Sequence, residues 1–171
     1  MGGGRTLGLA AAMLVLSAAA AFALEPATPL AEYARQAWVM ENGLPQNSVH
    51  ALAQTSDGYL WVGTEAGLVR FDGSAFAVFD KSSTPALPSG DIRCLLATGD
   101  GALWVGTSEG LARMKDGAIA MLGLHDGVPA GAVTALTETP GGRLHMETTG
   151  GAAELADGVW RAAVAEDGGN F

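Results

Sequence analysis

Three stretches of this chain align without a gap, each 28 residues long. They are LPQNSVHALAQTSDGYLWVGTEAGLVRF from Leu44 to Phe71, LPSGDIRCLLATGDGALWVGTSEGLARM from Leu87 to Met114, and VPAGAVTALTETPGGRLHMETTGGAAEL from Val128 to Leu155. They are offset by 43 and then 41 residues, within the roughly 40–50-residue period of propeller repeats. A unit of that size cannot bury its hydrophobic side alone, so its copies must stack against one another. Proline, glycine and the apolar stripes keep step in all three copies.

Each copy reads as strands. Val49–Gln54 is a short apolar strand, and Ser56-Asp57-Gly58 is a turn in which glycine supplies the positive φ of a tight hairpin. Leu60–Thr64 is a second strand, rich in aromatic and β-branched residues. Glu65-Ala66-Gly67 turns into a third strand at Leu68–Phe71, and Asp72-Gly73 into a fourth at Ala75–Phe79. Four short antiparallel strands with tight turns make one propeller blade. The predicted fold is all-β: an incomplete propeller of about three four-stranded antiparallel blades, following a leader.

The side chains support this packing. Leu60, Trp61, Val62 and Gly63 leave neither face of their strand polar, as expected of a strand covered on both sides. Trp61 and Trp104 are expected to fill the space between blades, and Gly63 and Gly106 to let that space narrow. Gly67 and Gly110 complete the set of structural repeat positions. A carbohydrate-stacking role for the two tryptophans is the alternative, and their place in mid-strand favours packing. The third copy departs from the pattern: His145 stands at the tryptophan position and Glu147 at the glycine position. A buried, unpaired carboxylate is costly. Glu147 is therefore expected to reach solvent or to pair with His145, and a ligand-facing His/Glu pair is the functional alternative.

The ends of the chain complete the organisation. Met1–Arg5 carries one basic side chain, Thr6–Leu24 runs 19 residues without a charge, and Ala21-Phe22-Ala23 is a small-x-small cleavage pattern. Together they form a secretory leader, with an uncleaved anchor as the alternative. Tyr33–Met40 occupies the place of an outer strand whose blade lacks its other three strands, a candidate for closing a ring. Val159–Val164 completes the third blade, and Asp167-Gly168 falls where a fourth repeat would open. The expected division is a signal peptide over 1–23, an N-terminal strand segment over 24–42, blades over 43–86, 87–127 and 128–166, and the start of a further repeat over 167–171. Propellers close with about four to eight blades, so the sequence is expected to be the N-terminal piece of a longer protein.

Charge narrows the partners. The net charge is −9, and loss of the leader with Arg5 makes it −10. This argues against nucleic acid, whose phosphates need Lys and Arg, and against anionic lipid surfaces. Membrane contact is expected only through the leader or a helix further downstream. The single cysteine, Cys94, cannot form an internal disulfide and sits in the apolar run Ile92–Leu96, as a buried thiol would.

The stretch EYARQAWVMENGLPQNSVHALAQTSDGYLWVGTEAGLVRFDG, Glu32 to Gly73, resembles the first repeat of the two-component regulator propellers. The cue is GLPQNSV followed by Q-x-x-DG-x-LW-x-GT-x-x-GL-x-R-F-DG. The likeness is good over the second repeat and weaker over the third. In that family such repeats form large periplasmic propellers, commonly followed by a β-sandwich, a membrane helix and a histidine kinase or diguanylate cyclase. The resemblance implies a periplasmic sensory ectodomain, a periplasmic ligand (carbohydrate among the candidates), and downstream blades and an output domain as partners.

No catalytic, cofactor or metal site is read from the residues. His50, His125 and His145 lie on unrelated repeat positions without ligand spacing. No G-x-S-x-G or H-E-x-x-H is present. T-x-D-G-x-x-W, at Thr55–Trp61 and Thr98–Trp104, resembles the Asp-box of sialidases, itself a turn device that accounts for Asp57 and Asp100. Glu65, Glu109, Arg70 and Arg113 recur in the first two repeats, so scaffold is their default role. Gln46-Asn47-Ser48, the Lys81–Pro85 insertion and His145/Glu147 break the repeat and are the local candidates for specificity. Three function classes follow: a ligand-sensing or interaction module of a transmembrane signalling protein, an exported propeller enzyme acting on glycans, and an adhesion scaffold.

Overall fold

In a computed structural model of the chain the described residues are 37–163. The leader over 1–23, the first half of the expected strand over Tyr33–Met40 and the Asp167-Gly168 turn lie outside them. Twelve strands form three four-stranded antiparallel sheets, each a meander in sequence order. Blade 1 holds β1 (Val49–Gln54), β2 (Leu60–Thr64), β3 (Leu68–Phe71) and β4 (Phe76–Phe79). Blade 2 holds β5 (Ile92–Ala97), β6 (Leu103–Thr107), β7 (Gly110–Lys115) and β8 (Ala118–Leu122). Blade 3 holds β9 (Val133–Glu138), β10 (Leu144–Thr148), β11 (Gly151–Ala156) and β12 (Val159–Ala162). The inner strands β1, β5 and β9 pack side by side, β1 on β5 and β5 on β9. The result is an open, three-bladed part of a β-propeller.

Two turn devices repeat. At one end of each blade the first hairpin closes on a positive-φ glycine: Gly58 at +90°, Gly101 at +80° and Gly142 at +76°. A side chain there would be strained, which is why glycine recurs. At the opposite end a threonine closes the second turn. The Thr64, Thr107 and Thr148 hydroxyls donate to the Gly67, Gly110 and Gly151 carbonyls at 2.9, 2.8 and 3.0 Å. Each hydroxyl also accepts from the backbone N–H two residues on. Thr64 and Thr107 are fully buried, so these bonds satisfy polar groups that water cannot reach.

Because side chains alternate across a strand, each sheet has two faces, and the core lies between blades. Trp61 and Leu68 of blade 1 pack on Ile92, Leu103, Val105, Ala112 and Met114 of blade 2. Trp104 and Leu111 of blade 2 pack on Val133, Leu136, Leu144, Met146, Ala153 and Trp160 of blade 3. On the far side of blade 1, Val62 and Val69 are covered by Leu44. Of the expected N-terminal strand, residues 37–39 are not strand and Met40–Asn42 form a 3-10 turn. No strand pairs with this segment among the described residues. It is held instead by Trp38, whose ring centroid lies 5.0 Å from that of Phe71 and 6.2 Å from that of Phe76.

Candidate functional site

The structural repeat positions sit at the blade junctions. Trp61 and Trp104 are buried, 4 and 5 % exposed. The Trp61 indole donates to the Thr55 hydroxyl at 3.0 Å, and that hydroxyl in turn donates to Asp57 at 2.5 Å. The Asp-box therefore holds a turn and a packed ring. A Cβ at Gly63 would stand 2.7 Å from Ile92 Cγ2 of the next blade, and one at Gly106 would stand 2.8 Å from Val133 Cγ1 while colliding with the Cys94 sulfur. A Cβ at Gly67 would lie 3.0 Å from the Phe79 carbonyl oxygen, and Gly110 adopts φ +142°. Cys94 is a free thiol wedged at this junction, and burial pushes its pKa up to about 11.

His145 and Glu147 lie on the face of blade 3 turned away from blade 2. Glu147 is exposed and His145 half-buried. The cross-strand register puts Thr137, His145, Glu154 and Arg161 in one row and Ala135, Glu147 and Ala152 in the next. Glu154 pairs with Arg143 at 3.2 Å. The carboxylate of Glu147 stands where a glycine meets the next inner strand in blades 1 and 2.

The end of the blades that carries the Thr–Gly turns gathers another polar group. Each inner strand has one extra residue against its partner. Val49 and Ala51 face Thr64 and Gly63, Ile92 and Cys94 face Thr107 and Gly106, and Val133 and Ala135 face Thr148 and Glu147. The extra residues, His50, Arg93 and Thr134, sit at one structural position, and all three are exposed. Such bulges re-aim a side chain out of the ladder. His50 Nδ1 lies 3.1 Å from the Ile92 carbonyl oxygen, and the ring is flanked by Glu65 at 3.5 Å and Asp91 at 3.8 Å. Asp91 in turn binds Arg93, and Gln46 Nε2 donates to Glu65 at 2.9 Å. This network ties blade 1 to blade 2. Glu65 and Glu109 are one position out of step: Glu65 stands at the place of Ser108, and Glu109 at that of Ala66.

The other repeat-breaking stretches hold loops. Asn47 Oδ1 accepts from the Met40 N–H at 2.9 Å, and the Ser48 N–H donates to Gln46. In the Lys81–Pro85 insertion, Lys81 binds the Pro88 carbonyl and reaches Glu109 at 3.5 Å.

At the Asp-box end, Asp100 collects four donors: Thr98 at 2.6 Å, Lys115 at 2.8 Å, Arg113 at 3.0 Å and the Ala102 N–H at 3.2 Å. Lys115 first, then Thr98, holds its carboxyl far below the usual carboxylate range. The Arg113 guanidinium lies 5.3 Å over the Trp104 ring, and Trp160 meets that ring edge-on at 5.5 Å. Among the described residues no group of His, Cys, Asp and Glu is placed to hold a metal, and no helix is long and apolar enough to cross a membrane.

The sequence pattern of the two component regulator propeller family matches residues 43–66 and 86–109. None of the curated proteins matches the chain. Among solved structures, the chain is similar to the extracellular domain of BT3049 from B. thetaiotaomicron, described as a hybrid two component system. The TM-score is 0.63 at 21% identity, over 71% of this chain and 17% of that one. It is also similar to the extracellular domain of BT4673 from the same organism, with a TM-score of 0.57 at 20% identity over 74% of this chain and 18% of that one. The chain thus spans less than a fifth of the length of either domain. These likenesses establish the fold: both matched segments open a blade and run through its first hairpin. Residues 43–66 and 86–109 match the two component regulator propeller pattern and are set in consecutive blades of an open propeller.

Proposed function

We propose that the chain is the periplasmic ligand-sensing or interaction part of a transmembrane signalling protein, of histidine kinase or diguanylate cyclase type. The observation that carries this is the pair of family repeats in consecutive blades. The extracellular domains that share its fold point the same way. In this reading the chain is not itself a catalyst, and any kinase or cyclase activity lies in domains beyond the propeller. A ligand or partner that binds one arrangement of the blades better than another shifts the population toward it, and that bias passes to the membrane segment.

The test is the size and location of the native product, followed on fractionated cells with an antibody against residues 37–163. A band well above the 17.3 kDa of this chain, in the inner membrane, is expected. A soluble periplasmic band would overturn the sensory reading in favour of an exported enzyme or scaffold.

A further inference from the structure

The two blade junctions differ at the Asp-box end. Between blades 1 and 2 a shallower space of about 480 Å³ lies between the loop residues Gln54–Gly58 and Ala97–Gly99, and the separate cleft beneath the hairpins is about 250 Å³. Tyr59 fills it, with the Arg70 guanidinium 4.4 Å over its ring, and Met114 and Lys115 close the other side. Between blades 2 and 3 the cleft is about 440 Å³. Smaller side chains take the equivalent positions: Ala102 for Tyr59, Leu155 for Met114, Ala156 for Lys115. Trp104, Arg113 and Asp100 remain, as Trp61, Arg70 and Asp57 do in the first cleft. The second cleft is the first with its filling removed.

The lining defines what fits. Leu122, Leu144 and Leu155 supply an apolar wall, and Glu138 supplies the carboxylate acceptor; the acceptor positions of Asp100 are already taken by Thr98, Ala102, Lys115 and Arg113. The indole of Trp104 is already covered by Arg113 and by the edge of Trp160, so it offers no stacking face. Asp100 and Glu138 balance Arg113 and the nearby Lys115, so the local field favours neither a cation nor an anion. Glu138 makes no ion pair among the described residues and can accept from a ligand. The volume lies in the roughly 300–1,000 Å³ range of small-molecule sites. At the opposite end, by contrast, the polar groups of the His50–Glu65–Asp91–Arg93 network largely occupy one another.

We propose that the cleft between blades 2 and 3 binds an uncharged, hydroxyl-bearing molecule of one or two rings. One of its hydroxyls donates to Glu138, and its apolar edge lies on the leucines. The biological meaning rests on the sensory reading, but binding is measured independently of where the protein resides.

The chain contains four tryptophans: Trp38, Trp61, Trp104 and Trp160. Fluorotryptophan in the full chain therefore reports each junction separately by fluorine NMR. Glucose and maltose serve as neutral probes, and glucuronate and glucosamine as charged counterparts. With a neutral probe the Trp104 signal is expected to shift together with that of its edge partner Trp160, while Trp38 and Trp61 stay in place. Glu138→Gln is expected to weaken binding about tenfold, the value of one charge-assisted hydrogen bond. The double variant Leu122→Phe/Leu155→Met restores the side chains found at those positions in the earlier blades. It is expected to abolish the shift while leaving the circular dichroism spectrum unchanged. The proposal is overturned if neither neutral probe moves Trp104 at millimolar concentration, or if all four signals move alike. It is equally overturned if the shift survives in the refilled variant, or if a charged probe binds as tightly as a neutral one.

Discussion

Blade 2 and blade 3 share a backbone plan and present opposite chemistries on the same face. The blade 2 face carries Leu96, Trp104, Gly106, Leu111 and Leu122, and it is closed against blade 3. At the matching places blade 3 carries Thr137, His145, Glu147, Ala152 and Ala163. The first three strands are the same length, and the Thr148–Gly151 turn is the same device as Thr107–Gly110. The turns and the ladder therefore build a blade whatever its face is made of. What the face decides is the chemistry offered to whatever packs against it.

Matched substitutions on the two faces test this. The largest difference is expected at the tryptophan position. Trp104→Ala removes a buried ring and is expected to cost ~3–5 kcal/mol in urea unfolding, whereas His145→Ala should stay within ~0.5 kcal/mol. Equal effects would mean that the blade 3 face is as closely packed as the blade 2 face. Next comes the glycine position. Gly106→Ala drives a methyl into Val133 and Cys94, at an expected cost of ~1–3 kcal/mol, while Glu147→Ala should be close to neutral. A smaller gap is expected at the turn threonine. Thr107→Val leaves the buried Gly110 carbonyl and Glu109 N–H without their hydroxyl, for a loss of ~1–3 kcal/mol, and Thr148→Val should lose less because water reaches that turn.

The smallest effect concerns acid. Lys115 and Thr98 lower the folded-state pKa of Asp100, so this carboxylate stabilises the fold above its ordinary unfolded value of about 3.9. That contribution is lost as pH falls below that value toward the folded-state pKa. Blade 3 has Gly141 at this place and no such dependence. Asp100→Asn should flatten the acid limb of a plot of unfolding midpoint against pH. An unchanged limb would show that the Asp100 cluster does not couple to folding.

Much of this fold was legible in the sequence, because the signals that define a blade are local. The strands read at Val49–Gln54, Leu60–Thr64 and Leu68–Phe71 are those of the structure, since a glycine or an aspartate marks each turn between them. The fourth begins at Phe76, one residue later than Ala75, because Asp72 caps a slightly longer turn through the Ser74 and Ala75 N–H groups. The packing roles of Trp61 and Trp104 followed from a strand with no polar face. Trp160 was missed. It stands where the earlier blades have Phe76 and Ile119, so nothing in the repeat singles it out, yet it is buried edge-on against Trp104. The common position of His50, Arg93 and Thr134 was also hidden. A bulge is one extra residue in a pairing register, and three gapless copies carry it without showing it. The open cleft between blades 2 and 3 depends on Ala102 and Ala156, and small residues carry no signal of the space they leave.

The bulge residues have a consequence for how such a chain can change over generations. His50, Arg93 and Thr134 belong to inner strands but face no partner in the ladder. A codon change there alters one exposed side chain at one rim of the barrel-like array and leaves every strand register intact. Three such positions, one per blade, vary independently of the core that Trp61 and Trp104 hold. New rim chemistry can thus be sampled without disturbing the core, at the cost, for His50 and Arg93, of the polar contacts that tie blade 1 to blade 2.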